Sequence, residues 1–355
     1  MSPEERIAEL APYGFSKRQA RFLDLVMRHS GVCVQRQYAT FASIVQGQKT
    51  RTFFAKLVRR GHASAFECRH NRGRVYHLHG HGLYAATGAM NSRYRRPVSA
   101  SRTTERLMML DALISSADVV WLATRAELRN HFGVVVSTPP DGSQPRELRR
   151  SPVDGLCSDS MRVGVDPTGR TVLLYLVAPG GREDFRGLLA RLVPILSGLP
   201  AWTLRLAFPR SLPEVYEAYQ QVVREEWETP LQPQTIDELI WYFERRRDLP
   251  PDRSPFPADA RFDRAAATFN GPRFDRLYRR WRRAGAAAFG EGSSSAISYA
   301  LANGLGRIEC FTLNHSYEHL SPVVSPSGAV AFPPGRHVDD IRSAEPTPAE
   351  RAIQS

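Results

Sequence analysis

The sequence predicts an α+β protein: a helical N-terminal domain closed by a β-hairpin, a middle αβ domain, and a mainly helical C-terminal region. Three observations predict it. Apolar residues recur at three- and four-residue spacing up to about residue 60. Short β-branched and aromatic runs follow at 63–79 and within 161–208. Breaks rich in Pro, Gly and Ser, or in arginine, divide the chain at 91–102, at 249–257 and beyond 325. The expected domains are therefore 1–90, a basic linker at 91–102, 103–212 and 213–324, with a disordered tail over 325–355. With 355 residues, 42% of them hydrophobic, the chain can fill more than one core.

In the first domain, Ser16 and Gln19 stand as N-cap and capping-box partner. Phe22, Leu23, Val26 and Met27 then line one face of a helix to about His29, which Gly31 stops. Val32, Cys33 and Val34 form a short apolar stretch. Tyr38, Phe41 and Val45 mark one side of a second helix, broken at Gly47. A third helix is expected over 49–60, with Phe53, Phe54, Leu57 and Val58 as its buried stripe and Gly61 as the left-handed stop. Residues 63–69 and 74–79 read as strands of a hairpin turned at Asn71, Arg72 and Gly73.

Charge points to the partner. The chain has 48 Lys and Arg against 36 Asp and Glu. Residues 1–102 hold 18 of those bases and only 5 of the acids, so the whole excess lies at the amino end. A surface built for a polyanion explains that concentration, and a domain that is merely soluble and basic does not. The third helix leaves Lys49, Arg51, Thr52, Lys56, Arg59 and Arg60 on its exposed faces, a set suited to base edges and phosphates in a major groove. Taken alone these residues also fit a solvated helix face. The hairpin shifts the balance: its tip carries Arg69, Arg72 and Arg74, and three helices followed by a basic hairpin is the winged-helix order. Arg93, Arg95 and Arg96 in the linker extend the expected phosphate contacts. Cys68, His70, His77, His79 and His81 invite a metal site, but their spacing includes no CxxC, and wing contacts are the preferred reading.

The segments around Gly14–Val26, Thr50–Ala63 and Arg72–Gly82, ending in Tyr76, Leu78 and Gly80, resemble the winged-helix N-terminus of the replication-relaxation family of plasmids and conjugative elements. The resemblance covers about residues 14–210. It implies DNA handling on a mobile element, and a second half similar to a restriction-endonuclease core that usually lacks a complete catalytic set.

In the middle domain, a helix over 103–115 and a short one from Thr124 to near Gly133 are followed by a loop over 134–154. Strands at 161–165 and 171–177 flank the turn Asp166-Pro167-Thr168-Gly169, a helix is expected over 185–196, and Trp202, Leu204, Leu206 and Phe208 alternate in a third strand. A nuclease of this layout needs a carboxylate ending one strand and an acid-x-Lys triplet on the next. Asp154 or Asp159 could fill the first place. The strand around Tyr175 has neither carboxylate nor Lys, and Glu183 and Asp184 suit a helix start equally well. The domain is read as a scaffold or dimerisation unit.

Beyond it, helices are expected over 213–227, from a Thr235 cap to Arg247, over 261–269 and over 273–284, with a strand at 307–313. The helix at 273–284 puts Phe274, Leu277, Tyr278 and Trp281 on one face and Arg276, Arg279, Arg280, Arg282 and Arg283 largely on the other. Docking of the aromatic face is preferred. Arg276, Arg279, Arg280 and Arg283 could still form a second DNA surface.

Four scattered cysteines indicate no disulfide framework, and no apolar run suggests a membrane span or signal peptide. No phosphate loop or nucleophile elbow occurs, so no catalytic residue, cofactor or metal is expected. The expectation is a non-enzymatic, sequence-specific double-stranded DNA-binding homodimer of the cytoplasm, associated with the nucleoid. It would be a transcriptional regulator or a replication or transfer accessory factor of a mobile element. The alternatives are a metal-dependent nuclease and a scaffold that recruits replication or recombination proteins.

Overall fold

The computed structural model describes residues 1–68, 73–136, 156, 160–177, 185–228, 231–248, 259–289 and 295–320. They form a mixed α and β structure with two sheets, in two compact units that part between Ile114 and Ser115. Among the described residues, no helix is long and apolar enough to cross a membrane.

The first unit opens with α1 (Pro3–Glu9), capped reciprocally by Ser2 and Glu5. Its Arg6 is buried, and the guanidinium Nε donates to both carboxylate oxygens of Asp24, at 3.1 and 3.2 Å, on the next helix. That helix, α2 (Lys17–His29), starts at the expected capping box and buries Phe22, Leu23, Val26 and Met27 completely. β1 (Val32–Cys33), α3 (Gln35–Phe41) and α4 (Gln48–Arg59) follow, then β2 (Ala63–Glu67) and β3 (Arg74–Leu78). The strands make an antiparallel sheet in the order β1-β3-β2, with Ala63 opposite Leu78 and Glu67 opposite Arg74. Aromatic rings join helices to sheet: Tyr38 meets Phe53 at 4.5 Å and Phe54 meets Tyr76 at 4.3 Å between centroids.

Several expectations for this unit are corrected. Val45 lies beyond the end of α3 and is 91% exposed. On α4, Val58 is 39% exposed and Thr50 is buried in its stead, because Thr50 sits one turn before Phe53 and Phe54 on the core face. The expected linker is part of the unit. Its Tyr94 is buried, Ser92 Oγ donates to the Met27 carbonyl, and the chain passes tightly over Gly31. Gly31 has φ +73°, and a Cβ there would stand 2.1 Å from the Tyr94 carbonyl oxygen. After α5 (His81–Ala86), α6 (Ala100–Ser115) buries Leu110 and Ile114 in the first unit's core, so it does not belong to the middle domain. The chain also comes back: Tyr317 and Leu320 are buried in this unit. Arg36 makes a bidentate pair with Asp111 of α6 at 2.8 Å in each bond, and the Tyr317 hydroxyl donates to the same carboxylate at 2.7 Å.

The second unit spans Ser115–Ser316. β4 (Val120–Leu122), β5 (Met161–Val165), β6 (Thr171–Leu176), β7 (Trp202–Pro209) and β8 (Gly306–Leu313) form one sheet in chain order. β4, β5 and β6 pair antiparallel, whereas β6, β7 and β8 are parallel. α7 (Arg125–Val136) runs past Gly133, and α8 (Phe185–Leu196) makes the crossover between β6 and β7 at the expected residues. β7 does not alternate: Trp202, Thr203, Leu204, Leu206, Ala207 and Phe208 are all buried. The boundary expected at 212–213 does not separate two bodies, because β8 completes the sheet beside β7.

α9 (Pro213–Val223) continues as a π-helical turn through Glu228. α10 (Pro233–Asp248) starts two residues before the expected Thr235 cap. α11 (Ala260–Thr268) is capped by Asp259, and α12 (Pro272–Ala284) completes a three-helix cluster around Leu239, Phe243 and Trp281. α13 (Ser295–Ala302) precedes β8. The expected break at 249–257 and the tail at 325–355 lie outside the described residues, as do Asp154, Asp159, Glu183 and Asp184.

Candidate nucleic-acid interface

The buried face of α4 settles what its other face presents. Thr50, Phe53, Phe54 and Leu57 point into the core. Gln48, Thr52, Ala55 and Arg59, at i, i+4, i+7 and i+11, therefore run along the crest of the solvent face, and all four are exposed. Arg51 and Val58 flank the crest on one side, and Lys49 and Lys56 on the other. The small side chain of Ala55 at mid-crest lets another surface come close to the helix backbone.

On the Arg51 side lies an open groove of about 810 Å³, walled by α4, the start of α3 and the β2–β3 hairpin. Arg36, Arg51, Arg59 and Arg74 line it, together with Gln35, Tyr76, His319 and Leu320. Gln35 Nε2 donates to the Tyr76 hydroxyl at 2.8 Å, fixing the floor. Arg36 is neutralised by Asp111. Arg74, across from Glu67 at 3.4 Å, is paired only through exposed side chains. Among the described residues, Arg51, Arg59, Lys49 and Thr52 make no side-chain hydrogen bond or ion pair. A second groove, of about 540 Å³, flanks the other side of α4 and is lined by Lys49, Thr52, Lys56 and Arg18.

Lys56 and Arg60, which the sequence placed with the exposed cations, are tied down. Lys56 Nζ donates to the Gly14 carbonyl and stands 4.8 Å from the centre of the Phe15 ring. Arg60 Nη1 donates to the Tyr13 carbonyl at 2.5 Å. Both side chains brace the segment before α2 against α4. Burial, then the charges of Arg60 and Arg59, hold the Lys56 ammonium below its ordinary pKa.

The other expected contacts are scattered differently. Arg69 and Arg72 lie outside the described residues. Arg93 bonds the Tyr94 hydroxyl at 2.9 Å and stacks on its ring, Arg95 is half-buried and Arg96 exposed. None of these three lines the α4 groove. His70 is likewise outside the described residues. His77 and His79 share a strand face, with rings 5.8 Å apart, but each has a partner: His77 Nε2 faces the Tyr94 carbonyl at 3.3 Å and His79 Nε2 faces Ser64 Oγ at 2.8 Å. Burial pushes the His77 imidazole down to about 4. Among the described residues, no group of three His, Cys, Asp or Glu could hold a metal ion.

Gln48, Ala55 and Arg18 were not singled out from sequence. A helical wheel centred on the buried stripe would have found the first two, since they share the crest with Thr52 and Arg59. Arg18 is placed by the fold alone, where its Nη1 donates to the Ala42 carbonyl at 3.0 Å. Compared with family models, curated proteins and solved structures, the chain shows no match.

Proposed function

We propose that the first unit is a winged helix-turn-helix that binds double-stranded DNA, with α4 entering the major groove and the β2–β3 hairpin lying along a phosphate backbone. One observation carries this reading: Lys49, Arg51 and Arg59 stand on the exposed face of α4 and, among the described residues, have no carboxylate partner. The acids of residues 1–102 are elsewhere. Glu4, Glu5 and Glu9 belong to α1, Asp24 is bound to Arg6, and Glu67 is on the hairpin. Arginine fits guanine and phosphate bidentately, while Gln48 and Thr52 offer hydrogen-bond groups and Ala55 an apolar contact to base edges. One such helix reads only a few base pairs, so a homodimer on two half-sites is part of the proposal. A role in regulation, replication or transfer on a mobile element rests on the sequence resemblance.

The test is a mobility-shift titration of the full chain on duplex DNA at graded salt. Affinity should fall steeply, with log K dropping by about 0.9 per phosphate neutralised for each unit of log salt. Arg51→Ala with Arg59→Ala should weaken binding by about tenfold or more at each salt concentration. Wild-type affinity in that variant would refute the assignment of α4.

A further inference from the structure

The three-helix cluster of the second unit gathers charge that the reading above leaves unused. α10 packs on α12 with Phe243 5.2 Å from Tyr278 and 5.7 Å from Trp281. This brings the last turn of α10, with Arg245, Arg246 and Arg247, against the second half of α12. Arg246 lies 4.5 Å over the Tyr278 ring and pairs with Asp275 at 3.1 Å. Arg247 lies 5.7 Å from the Trp281 ring and pairs with Asp248 at 2.9 Å. Arg282 leans on the same Tyr278, with Nη1 3.5 Å from the hydroxyl. Arg279 and Arg283 stand one turn apart on the solvent face of α12, and both are exposed, as is Arg245.

The arginines expected on this face divide. Arg276 and Arg280 are half-buried along a small pocket shared with Arg186, Glu226 and Trp227, and serve packing within the unit. Arg279 and Arg283 remain free of that pocket. Among the described residues, Arg245, Arg279, Arg282 and Arg283 make no hydrogen bond or ion pair to a carboxylate, although the Arg245 charge acts on Asp248 at a distance. Arg279 Nε meets only the Asp275 carbonyl oxygen, and Arg282 only the Tyr278 hydroxyl. Cations at a helix C-terminus are favoured by the helix dipole, which accounts for one or two of them. It does not account for Arg246, Arg247 and Arg282 converging on the Tyr278 and Trp281 rings, with Arg279 and Arg283 exposed beside them on the same helix and Arg245 exposed next to Arg246.

We propose that this surface, centred on Arg245, Arg279, Arg282 and Arg283, binds the sugar–phosphate backbone of DNA as a second site, independent of α4. Charge complementarity identifies the occupant: guanidinium forks match phosphate oxygens bidentately. Stacking of Arg246, Arg247 and Arg282 on Tyr278 and Trp281 holds those side chains in place, so less rotamer freedom is lost when phosphates arrive. With no aligned base-reading groups, the site contributes affinity and salt dependence rather than sequence preference.

The test compares full-length wild type, Arg245→Gln/Arg279→Gln/Arg283→Gln, Arg51→Ala/Arg59→Ala and the combined variant. Fluorescence anisotropy would be read on a labelled random-sequence duplex and on its single strand, from about 50 to about 200 mM salt. The triple glutamine variant should bind about tenfold more weakly, with a log–log salt slope shallower by about 2 to 3. Its near-ultraviolet circular dichroism should be unchanged, because the substituted side chains are exposed. The same three positions as lysine should regain most of the slope. The α4 variant should retain salt-dependent binding that the combined variant loses. Loss confined to the α4 variant, with the glutamine variant at wild-type affinity and slope, overturns this proposal and spares the α4 reading; the reverse pattern spares this one. Absence of DNA binding by the wild type, or equal affinity of the surface for poly-glutamate competitor and DNA measured by competition, also overturns it.

Discussion

Replacing Asp111 with Ala should strongly destabilise the first unit, without unfolding it, while leaving the stability of the second unchanged. The Asp111 carboxylate is buried, with 7% of its side chain exposed, and receives both Arg36 bonds and the Tyr317 hydroxyl. Removing one member of a buried ion pair costs about 3 to 5 kcal/mol, because the other charge is left without a partner. The Arg36 side chain keeps 22% exposure, so water recovers part of that loss, and about 3 kcal/mol is the appropriate end of the range. The Tyr317 hydroxyl loses its acceptor at a further cost of about 1 kcal/mol. Asp111→Ala should therefore cost about 4 kcal/mol, a large share of a domain's stability. Tyr317→Phe alone should cost about 1 kcal/mol, and almost nothing once Asp111 is gone, leaving a coupling of about 1 kcal/mol. All five tryptophans lie in the second unit, so tryptophan fluorescence follows that unit alone. Urea titrations read by fluorescence should be unmoved by either substitution, while hydrogen exchange at α2 and α4 amides should accelerate. Additive effects of the two substitutions, or a cost for Asp111→Ala under about 1 kcal/mol, would show that the carboxylate does not hold the returning chain.

The first unit should also lose stability in acid through His77. Its imidazole is buried and held down to about 4, against an ordinary value near 6.5, mainly by burial and then by the neighbouring His79 charge. A depressed folded-state value means that stability is complete above about pH 6.5 and is lost as pH falls toward 4, by about 3 kcal/mol in all. His77→Gln should flatten that slope in hydrogen exchange measured between those pH values, and an unchanged slope would count against it. Thr50→Val should raise stability by about 1 kcal/mol, since the buried Thr50 hydroxyl has no hydrogen-bond partner among the described residues and valine keeps its shape; a loss measured by urea unfolding of the first unit would contradict this. Gly31→Ala should cost about 3 kcal/mol or more, combining a left-handed backbone with contact against the Tyr94 carbonyl, and should expose Tyr94 to iodide quenching.

Much of the fold was legible because its signals are local. The Ser16–Gln19 capping box, the Asp166–Gly169 turn and the apolar spacing of residues 185–196 depend on neighbours within one turn, and each appears where the residues indicate. The basic surplus before residue 103 is likewise a property of the sequence. What the sequence could not supply are contacts made across long separations. Lys56 and Arg60 look like free cations until the fold brings the carbonyls of Gly14 and Tyr13 beneath them. Tyr94 looks like linker until Gly31 leaves room for it, and Tyr317 gains meaning only beside Asp111, 206 positions earlier. The placement of β8 beside β7, and of the α10 arginines against α12, belongs to the same class. A helix period states which residues share a face, whereas tertiary packing alone decides which face meets protein and which meets water, because that choice depends on surface buried by distant parts of the chain.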